Sequence, residues 1–530
     1  MIQEVYFKHA SVQNAYELKL EQAGHAQQNI LLKAIHSEKV KNVSFTIKLS
    51  KKIIAYRSID YKWNKITKNQ DHILNEHCPK ILVLEDHSYV MSSKNIGAWE
   101  LIDHKTIEWV LKSPELHPVF EYGQDNIRIF KTAFTPEDYN LTLLFSKDAV
   151  PEFSRSKIAF KPMVCFTDHC DFDNNELVKK QLEFFNQKGV KISKGFFLNH
   201  FSKRKENSSY QNDKALLLQF KHQGHELFYH ALSQSLRKKD DAIAEFVNFV
   251  PPAAVAVNTY IDHGYQPYNY TLRTKSGLSD AQWSKIMSQN GIKNLWTYLD
   301  SGTAHSAIIN QLNPKHFTPK KLFKHHFLRP LFVFRTLLFY SGNEDVLVQY
   351  KQTAKFFKQA IAQKSIKKTG RFLSSLSKCF FYVVKVLSNS AARNRSFKYA
   401  KYTPFVFKDD VNGQSFRFFQ TVEVTNFEKT FSQKNIDGLI DQTGAIIVHC
   451  YFSSPIKHQK GRLFKGGKIS DKNHKNFSYL GDKIKNGEIW NPTINELIDY
   501  TAKTSQLEFY LSEGRIKVNS EVAVRYVAYG

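Results

Sequence analysis

The chain has 530 residues, of which 42% are hydrophobic and 14% are aromatic. A disordered chain does not carry so many apolar and aromatic side chains, and the length exceeds one ordinary core, so we expect two or three folded domains. The first residues lack the basic and apolar regions of a secretory signal, and no apolar run is long enough to span a bilayer. Five scattered cysteines favour a reducing compartment, which predicts a cytoplasmic protein.

The net charge of +26 is concentrated in one segment of the chain. Between Lys315 and Lys401, 19 Lys and Arg residues stand against two acidic residues, Glu344 and Asp345, which leaves a net charge of +17. Most of the excess charge therefore belongs to one part of the fold and needs its own explanation.

Residues 1–155 have the pattern of β-strands. The segments "VSFTIKL" and "KTIEWVL" alternate apolar and polar residues, and "KILVLE" and "NLTLLFS" are short apolar runs between turn residues. We expect Trp99 and Trp109 to pack in a core, since nothing around them suggests a ligand site. The sequence therefore predicts a β-rich accessory domain over residues 1–155.

Residues 156–313 alternate strands and helices, which predicts right-handed βαβ units and a parallel sheet or barrel. Asp173 lies three residues before Glu176, the spacing of a capping box, and Gly189 lies where that helix would end. The predicted helices cover residues 174–188, 211–222, about 238–249 and 279–290. The predicted strands are "KPMVCFT", "VKISKGFFL", "GHELFYHA", "AVAVNTYI" and "KNLWTYLD".

Residues 314–402 interrupt this alternation with a basic, Phe-rich helical pattern, which we interpret as an insertion. Strand and helix patterns resume over residues 403–530, with "FRFFQTVEV", "AIIVHCYF" and a helix around "TINELIDYTAK". The last stretch has the pattern of a β appendage. The insertion would thus divide a single α/β domain into two parts.

Each predicted strand of the α/β domain ends in a cluster of polar side chains. In parallel α/β folds the carboxyl ends of the strands meet at one edge, where reactive groups gather. Imidazole and carboxylate groups that converge there suit a divalent metal ion with an open coordination position, and hence metal-assisted hydrolysis. The residues are Asp168, His169, Asp171, Asn199, His200, His225, Glu226, His230, Asp262, His263, Asp300 and His449.

The segments "FTDH", "KGFFLNHFS", "GHELFYHALS", "GYQPYN", "LWTYLD" and "AIIVHCYF" occur in this order, and the series resembles the polysaccharide deacetylases. These carbohydrate esterases have a NodB-type irregular (β/α) barrel. The resemblance covers about residues 160–310 and 415–510. In that family a T-F-D-D-G motif supplies a base aspartate and then a metal aspartate, and a G-H-E-x-x-x-H-T-x-S-H motif supplies two metal histidines.

The resemblance implies roles for particular residues. Asp168 falls on the base aspartate, His169 replaces the metal aspartate, and His230 falls on the first metal histidine. The second metal histidine is replaced by Gln234, a poor ligand for zinc, so the third ligand is left open between Asp171 and His225. Asp171 has two further interpretations, as a hydrogen-bond partner of His230 or His169 and as a helix cap.

The resemblance also implies the reaction, the removal of an acetyl group from a polysaccharide or a lipid-linked glycan precursor. His449 falls on the family's acid histidine, and the divalent metal would be zinc, with cobalt, nickel or manganese as alternatives. "GYQPYN" lacks the arginine of the corresponding family motif, which leaves Tyr265 a positioning role. The residues expected to contact the substrate are His200, His263, Tyr265 and Asp300.

Gln234 and the altered first motif suggest an alternative function. In that case the barrel is catalytically degenerate and serves as a glycan-binding or membrane-surface scaffold. The basic insertion has three interpretations, a solvated helical face, a surface for peripheral contact with an anionic membrane, and a nucleic-acid site, for which no known motif is found. The cations considered for contact with anions are Lys355, Lys358, Lys367, Lys368 and Arg371.

Overall fold

The computed structural model describes residues 2–24, 26–67, 73–122, 128–304, 309–341, 344–454 and 461–530. Its N-terminal region consists almost wholly of β-strands. In chain order these are β1 (Ile2–Tyr6), the short helix α1 (Ala10–Gln13), β2 (Tyr16–Gln22), β3 (Gln27–Ala34), β4 (Val43–Leu49), β5 (Ile53–Arg57), β6 (Trp63–Lys65), β7 (Ile73–Leu74), β8 (Ile81–Leu84), β9 (Tyr89–Ser92), β10 (Ala98–Leu101), β11 (Thr106–Lys112), β12 (Phe120–Tyr122), β13 (Arg128–Phe130), β14 (Tyr139–Ser146) and β15 (Val150–Phe153).

Two antiparallel sheets form most of this region. One has the strand order β1-β4-β11-β10-β7, and the other has the order β2-β3-β14-β9-β8-β5-β6. Residues of both sheets share one hydrophobic core, in which Trp99 and Trp109 are completely buried and pack edge to face. The apolar residues of β4 and most of those of β11 face this core, and polar residues that alternate with them, such as Ser44 and Thr46, are buried as well. The predicted β-rich N-terminal region is confirmed.

The first half of the α/β region follows the predicted alternation of strands and helices. Its strands are short and almost fully buried, as expected for a parallel sheet that helices cover. The elements are β16 (Met163–Asp168), α2 (Asn175–Lys188), β17 (Ser193–Phe196), α3 (Tyr210–His222), β18 (Glu226–His230), α4 (Lys239–Val247), β19 (Thr259–Ile261), α5 (Asp280–Gln289) and β20 (Asn294–Thr303).

The cap of α2 differs from the prediction. Asn174 is the N-cap, and its side-chain oxygen accepts a hydrogen bond from the backbone nitrogen of Leu177 at 2.9 Å. The predicted capping box at Asp173 is therefore wrong, because the Asp173 side chain is buried in an ion pair with Lys194. The predicted end at Gly189 is confirmed, since this residue has a φ of 63° and closes the helix in the left-handed conformation.

The basic segment is helical, as predicted. None of the described helices is both long and apolar enough to cross a membrane. Helices α8 and α9 pack against each other as an antiparallel hairpin. The helices of the insertion are α6 (Pro319–His326), α7 (Pro330–Tyr340), α8 (Glu344–Gln363), α9 (Ile366–Ser388) and α10 (Ser390–Asn394).

The second half of the α/β region completes a closed barrel. Strands β16, β17, β18, β19 and β20 pair in parallel in this order. The elements that follow the insertion are β21 (Val406–Val411), β22 (Gln414–Glu423), α11 (Phe427–Thr430), α12 (Gln433–Asp441), β23 (Ala445–Cys450), α13 (Asp471–Lys485) and α14 (Ile494–Ser505).

Strand β22 is parallel to both β20 and β23, and β23 is parallel to β16, so seven parallel strands form a ring. Strand β21 is antiparallel to β22 and lies outside the ring. The predicted α/β class is confirmed as a barrel with a separate β-rich region. The carboxyl ends of the parallel strands, which carry most of the predicted site residues, therefore lie at one edge of the barrel.

The C-terminal strands are β24 (Phe509–Ser512), β25 (Arg515–Val518) and β26 (Val524–Val527). Strands β24 and β25 form a hairpin, and β26 pairs with β15 at the end of the N-terminal region. Leu507 and Phe509 share a hydrophobic core with Ile81 and Met91 of the N-terminal sheets. The β appendage thus packs against the N-terminal region. All five cysteines are free and buried.

Candidate metal centre at the carboxyl edge of the barrel

Asp171, His230 and His263 come together at the carboxyl edge of the barrel. Asp171 follows β16, His230 is the last residue of β18, and His263 lies just beyond β19. One potential ligand atom from each residue lies within 4.8 Å of the other two. The Nε2 atoms of His230 and His263 lie 3.3 Å and 2.7 Å from Oδ1 of Asp171.

This donor set fits a zinc-like ion. Ligand atoms bound at about 2.0–2.1 Å to a tetrahedral ion are roughly 3.3 Å apart. This separation matches the distance of 3.3 Å from His230, whereas His263 at 2.7 Å lies closer to the carboxylate and would move slightly on binding. The Nδ1 atoms of His230 and His263 are buried, and neither has a hydrogen-bond partner in the part of the chain that the structure describes. The protein itself therefore leaves the polar groups of both rings only partly satisfied, which is unusual for buried side chains.

The protonation states of the group also suit metal binding. Burial lowers the pKa of His230 to about 4, and the nearby Asp171 carboxylate offsets only part of that effect. Burial alone would raise the pKa of Asp171, but His263 and His230 hold it well below its usual range. At neutral pH Asp171 is therefore ionised and His230 is neutral, as a metal ligand must be.

Two predicted metal ligands are not brought into this group. His225 precedes β18 at the opposite end of that strand, where its Nδ1 accepts a hydrogen bond from the Ile192 backbone at 3.1 Å. Its Nε2 lies 3.1 Å from Oδ1 of Asn186, so the ring holds two neighbouring segments together. His169 lies at the correct edge, but its ring packs on His449 at 4.0 Å between centroids and is not part of the group.

His263, predicted to contact substrate, takes the place of the third ligand. The available signal was its position after a parallel strand, which Asp262 shares. Asp262, however, accepts hydrogen bonds from the backbone nitrogens of Tyr270 and Thr271 at 3.1 Å and 3.0 Å. Gln234 is also no part of the group, since its Oε1 accepts a hydrogen bond from Phe201 N at 2.7 Å.

His449 is held by Asp300 at the same edge of the barrel. Its Nδ1 lies 3.1 Å from both carboxylate oxygens of Asp300, which also accepts a hydrogen bond from Thr421 at 2.6 Å. Burial alone would lower the pKa of His449, but Asp300 outweighs burial and raises it. Its Nε2 is buried without a hydrogen-bond partner among the described residues. Asp300, predicted to contact substrate, therefore orients His449.

Asp168 lies in a buried cluster of charges. It forms an ion pair with Lys194 of β17, which also pairs with Asp173, and its Oδ1 accepts a hydrogen bond from the Phe452 backbone at 3.1 Å. Burial raises the pKa of Asp168, and the Lys194 ammonium opposes this. Lys194 was not among the residues predicted for the site. A buried lysine within the predicted strand "VKISKGFFL" was the available signal, because buried lysines are nearly always paired.

A cavity of about 340 Å³ opens next to the metal group. Arg204 lies over the ring of Phe172 at 4.9 Å, and Arg237 lies over the ring of Phe201 at 4.1 Å, so two cations lie against aromatic rings of its wall. The cavity is lined by Asp171, Phe172, Phe197, Phe201, Ser202, Lys203, Arg204, Asn207, Gln234, Ser235, Leu236 and His263.

The remaining predicted substrate contacts lie near this cavity or outside it. His200 is not among the residues that line the cavity, but its Nδ1 lies 3.5 Å from Nε2 of Gln234, which does line it. Tyr265 is half-exposed and packs near Tyr122 at 5.5 Å between ring centroids. The structure thus brings His200 close to the cavity wall and places Tyr265 outside the residues that line it.

No protein-family model matches this chain, and a comparison with curated proteins finds no match. Function is therefore inferred from the chemistry of the site. That site combines an Asp–His–His group, a histidine oriented by a carboxylate, and an adjoining cavity.

Proposed function

We propose that the protein is a metal-dependent hydrolase that removes an acetyl group from an acetylated sugar. The observation that carries the proposal is the group of Asp171, His230 and His263, two of whose members also line the adjoining cavity. A bound substrate in that cavity would lie against the metal. Zinc is the first candidate for two imidazoles and one carboxylate, and cobalt, nickel and manganese are alternatives.

Each of the other residues has a definite task in this reaction. A divalent ion in the site would polarise the acetyl carbonyl and lower the pKa of water. His449 would donate a proton from Nε2 to the leaving nitrogen or oxygen, since its Nδ1 is held by Asp300 and its Nε2 has no partner among the described residues. The pKa of His449, which Asp300 raises, favours the protonated form that an acid needs.

Asp168 is the proposed base. Its two oxygens are occupied by Lys194 and by the Phe452 backbone nitrogen. The ammonium of Lys194 favours the ionised form of the carboxylate, and burial strengthens its affinity for a proton. A base needs both properties, because it must be ionised before the reaction and must accept a proton during it.

The cavity suits a sugar as the substrate. Aromatic rings from Phe172, Phe197 and Phe201 offer apolar surfaces, while Asn207 and Lys203 offer polar groups for hydroxyls. Its volume of about 340 Å³ lies at the lower end of the range for small-molecule sites, which fits one or two sugar rings. The proposal extends to a NodB-type barrel and a cytoplasmic protein that acts on a polysaccharide or on a lipid-linked glycan precursor.

One observation favours the alternative, a catalytically degenerate barrel that binds glycans or serves as a scaffold at a membrane surface. Asp168 lies in a closed cluster with Lys194 and Asp173, so its carboxylate has a purely structural use as well. A scaffold of this kind would bind a glycan in the same cavity and release no acetate.

Metal analysis and acetate release separate the two functions. We expect about one divalent ion per chain in protein purified without chelator, lost in His230→Ala and His263→Ala and retained in the matched control His225→Ala. Wild-type protein loaded with metal should release acetate from N-acetylated chitin oligomers or O-acetylated xylan. Metal binding without acetate release from either substrate would favour the degenerate barrel. Absence of metal in the wild type, even after loading, would overturn both the centre and the proposed reaction.

A further inference from the structure

Helix α9 has two apolar faces, and only one of them is covered. The buried face carries Cys379, Val383 and Val386, which pack towards the rest of the insertion. The opposite side of the helix also carries large apolar residues, although it is exposed. These exposed residues are Ile366, Leu373, Phe380, Phe381 and Val384.

The exposed apolar residues lie along one side of α9, with the exposed residues Gly370 and Ser377 between them. Ile366, Leu373 and Phe380 follow one another at intervals of about two helical turns, and Val384 lies one turn beyond Phe380. The side chain of Ile366 at the start of the helix is 92% exposed. On α8, Phe357 and Ile361 are exposed near the same end of the hairpin, and Phe357 packs on Phe372 of α9. We refer to Phe357, Ile361, Ile366, Leu373, Phe380, Phe381 and Val384 as the hairpin face.

A row of cations borders this face. Four exposed cations follow one another along α9 at intervals of four or seven residues, Lys367, Arg371, Lys378 and Lys385. They therefore form a row along the helix that is displaced around its axis from the apolar residues. No described carboxylate lies within ion-pair distance of these four side chains. Lys355 and Lys358 on α8 are exposed as well. Large apolar side chains beside unpaired cations are the pattern of helices that lie in a membrane interface.

We propose that the hairpin face docks on the surface of an anionic lipid bilayer, with its apolar side chains among the acyl chains and the cations at the headgroups. Charge decides between this occupant and the others. A second copy of the chain would bring two segments of net charge +17 together. Nucleic acid would satisfy the cations but would leave the aliphatic side chains of Ile361, Ile366 and Leu373 in water. An anionic bilayer satisfies both parts of the surface, which neither a second copy nor nucleic acid does.

This inference is independent of the proposed reaction, because none of its residues belongs to the metal centre or the adjoining cavity. It concerns the location of the protein at a membrane surface. A protein held at a bilayer by this face would meet substrates that are themselves attached to lipid.

Vesicle flotation with the full chain tests the proposal. We expect binding to phosphatidylcholine vesicles that contain phosphatidylglycerol, little binding to pure phosphatidylcholine, and a loss of binding as salt rises. The variant Lys367→Gln/Arg371→Gln/Lys378→Gln/Lys385→Gln should weaken the partition coefficient by roughly two to three orders of magnitude, at about 1 kcal/mol per cation and 1.4 kcal/mol per tenfold. The variant Leu373→Ser/Phe380→Ser/Val384→Ser should weaken it as strongly at low salt.

Two control variants alter exposed residues outside the insertion. Lys472→Gln/Lys475→Gln removes exposed cations of α13, and Val250→Ser removes an exposed apolar side chain. Both should bind vesicles as the wild type does, and circular dichroism should show that all variants are folded. Absence of wild-type binding at low ionic strength would overturn the proposal. Equal binding by the hairpin and control variants would overturn it too. If the wild type does not bind vesicles but self-associates or binds DNA, and the hairpin variants lose that property, the hairpin face has another occupant and the proposal is overturned.

Discussion

Both edges of the barrel carry buried polar side chains, but the two edges use them differently. At the amino edge, Glu226 accepts hydrogen bonds from Ser193 at 2.8 Å, from Thr259 at 3.2 Å and from the backbone nitrogen of Asn495 at 3.1 Å. At the carboxyl edge, nitrogens of His230, His263 and His449 are buried with no hydrogen-bond partner in the described part of the chain. Strand β18 carries both kinds of residue, one at each end.

This difference shows what distinguishes a structural cluster of polar residues from a functional one. Buried polar groups in folded proteins are almost always paired. Single unpaired atoms occur elsewhere in the described residues, such as Oδ1 of Asn294 at the amino edge, but three unpaired ring nitrogens come together only at the carboxyl edge. At the amino edge the partners are other parts of the chain, and the cluster fixes helix α14 to the barrel. Under the proposed function, a metal ion would lie beside the rings of His230 and His263 at the carboxyl edge, and a substrate beside Nε2 of His449. Substitutions at the carboxyl edge should therefore lower activity more than stability, and substitutions at the amino edge should lower stability more than activity.

The largest effect is expected from Asp171→Asn. This variant removes the single carboxylate of the metal group, and we expect acetate release to fall by at least about a thousandfold because the metal is lost with the charge. The free energy of unfolding of the metal-free protein should fall less than in the amino-edge variant described next, because the asparagine oxygen can still accept a hydrogen bond from His230 or His263. Metal analysis and chemical denaturation check both parts. Full activity in the variant would exclude Asp171 as a ligand.

Glu226→Ala should show the opposite behaviour at the amino edge. The variant leaves donors from Ser193, Thr259 and Asn495 without their buried acceptor, and we expect the free energy of unfolding to fall by about 3 kcal/mol. The remaining folded protein should bind metal as the wild type does. Urea denaturation and metal analysis on the same preparation measure both. Loss of metal without loss of stability would contradict the distinction between the two edges.

Asp300→Asn separates two roles at the carboxyl edge. It alters the residue that orients His449 and leaves the metal group intact. We expect the metal to stay bound and kcat to fall by about 50-fold. Asp300 raises the pKa of His449, and the acid must be protonated, so the alkaline limb of the pH profile should move to lower pH in the variant. An unchanged alkaline limb would mean that His449 is not the acid.

His225→Gln gives the smallest expected effect and tests a pH dependence at the amino edge. Burial lowers the pKa of His225 to about 4, below the value of about 6.5 in the unfolded chain. Between these two values the unfolded state binds more protons, so the stability of the wild type falls as the pH falls, by about 2 kcal/mol between pH 7 and pH 4.5.

Glutamine can still accept the hydrogen bond from Ile192 N but does not titrate. The dependence of the unfolding free energy on pH should therefore be weaker in this variant than in the wild type. Thermal or urea unfolding at several pH values, with His222→Gln as an exposed control, measures it. Parallel stability curves for His225→Gln and wild type would show that His225 does not titrate as its burial implies.

The sequence predicted the barrel well and the ligand set only in part. Strand–helix alternation and the apolar runs sufficed to place β16, β18 and β23, because parallel strands covered by helices have a strong pattern. The edge at which His230 and His449 lie followed from chain direction alone. The exact ligands did not follow, since the loop after each strand decides which side chain turns inwards.

Asp262 and His263 illustrate this limit. They are adjacent in the chain, but one caps a turn through Tyr270 and Thr271 and the other reaches Asp171. The pairing of Asp168 with Lys194 depends on the contact between β16 and β17, where Gly195 has no side chain and lies against the Asp168 carbonyl. Such contacts are set by packing between strands, and periodicity along one strand carries no information about them.

The place of the insertion also has a consequence for how the barrel folds. Strands β20 and β22 are neighbours in the ring, although the helical insertion and β21 separate them in sequence by on the order of a hundred residues. Joining them closes a long loop, so we expect this seam to form last, after local contacts have already made the α8–α9 hairpin. Replacing the insertion with a linker of about ten residues should lower the entropy cost of closure by about 1 kcal/mol and speed folding. The segment that we assign to the membrane would then also set the rate at which the ring closes.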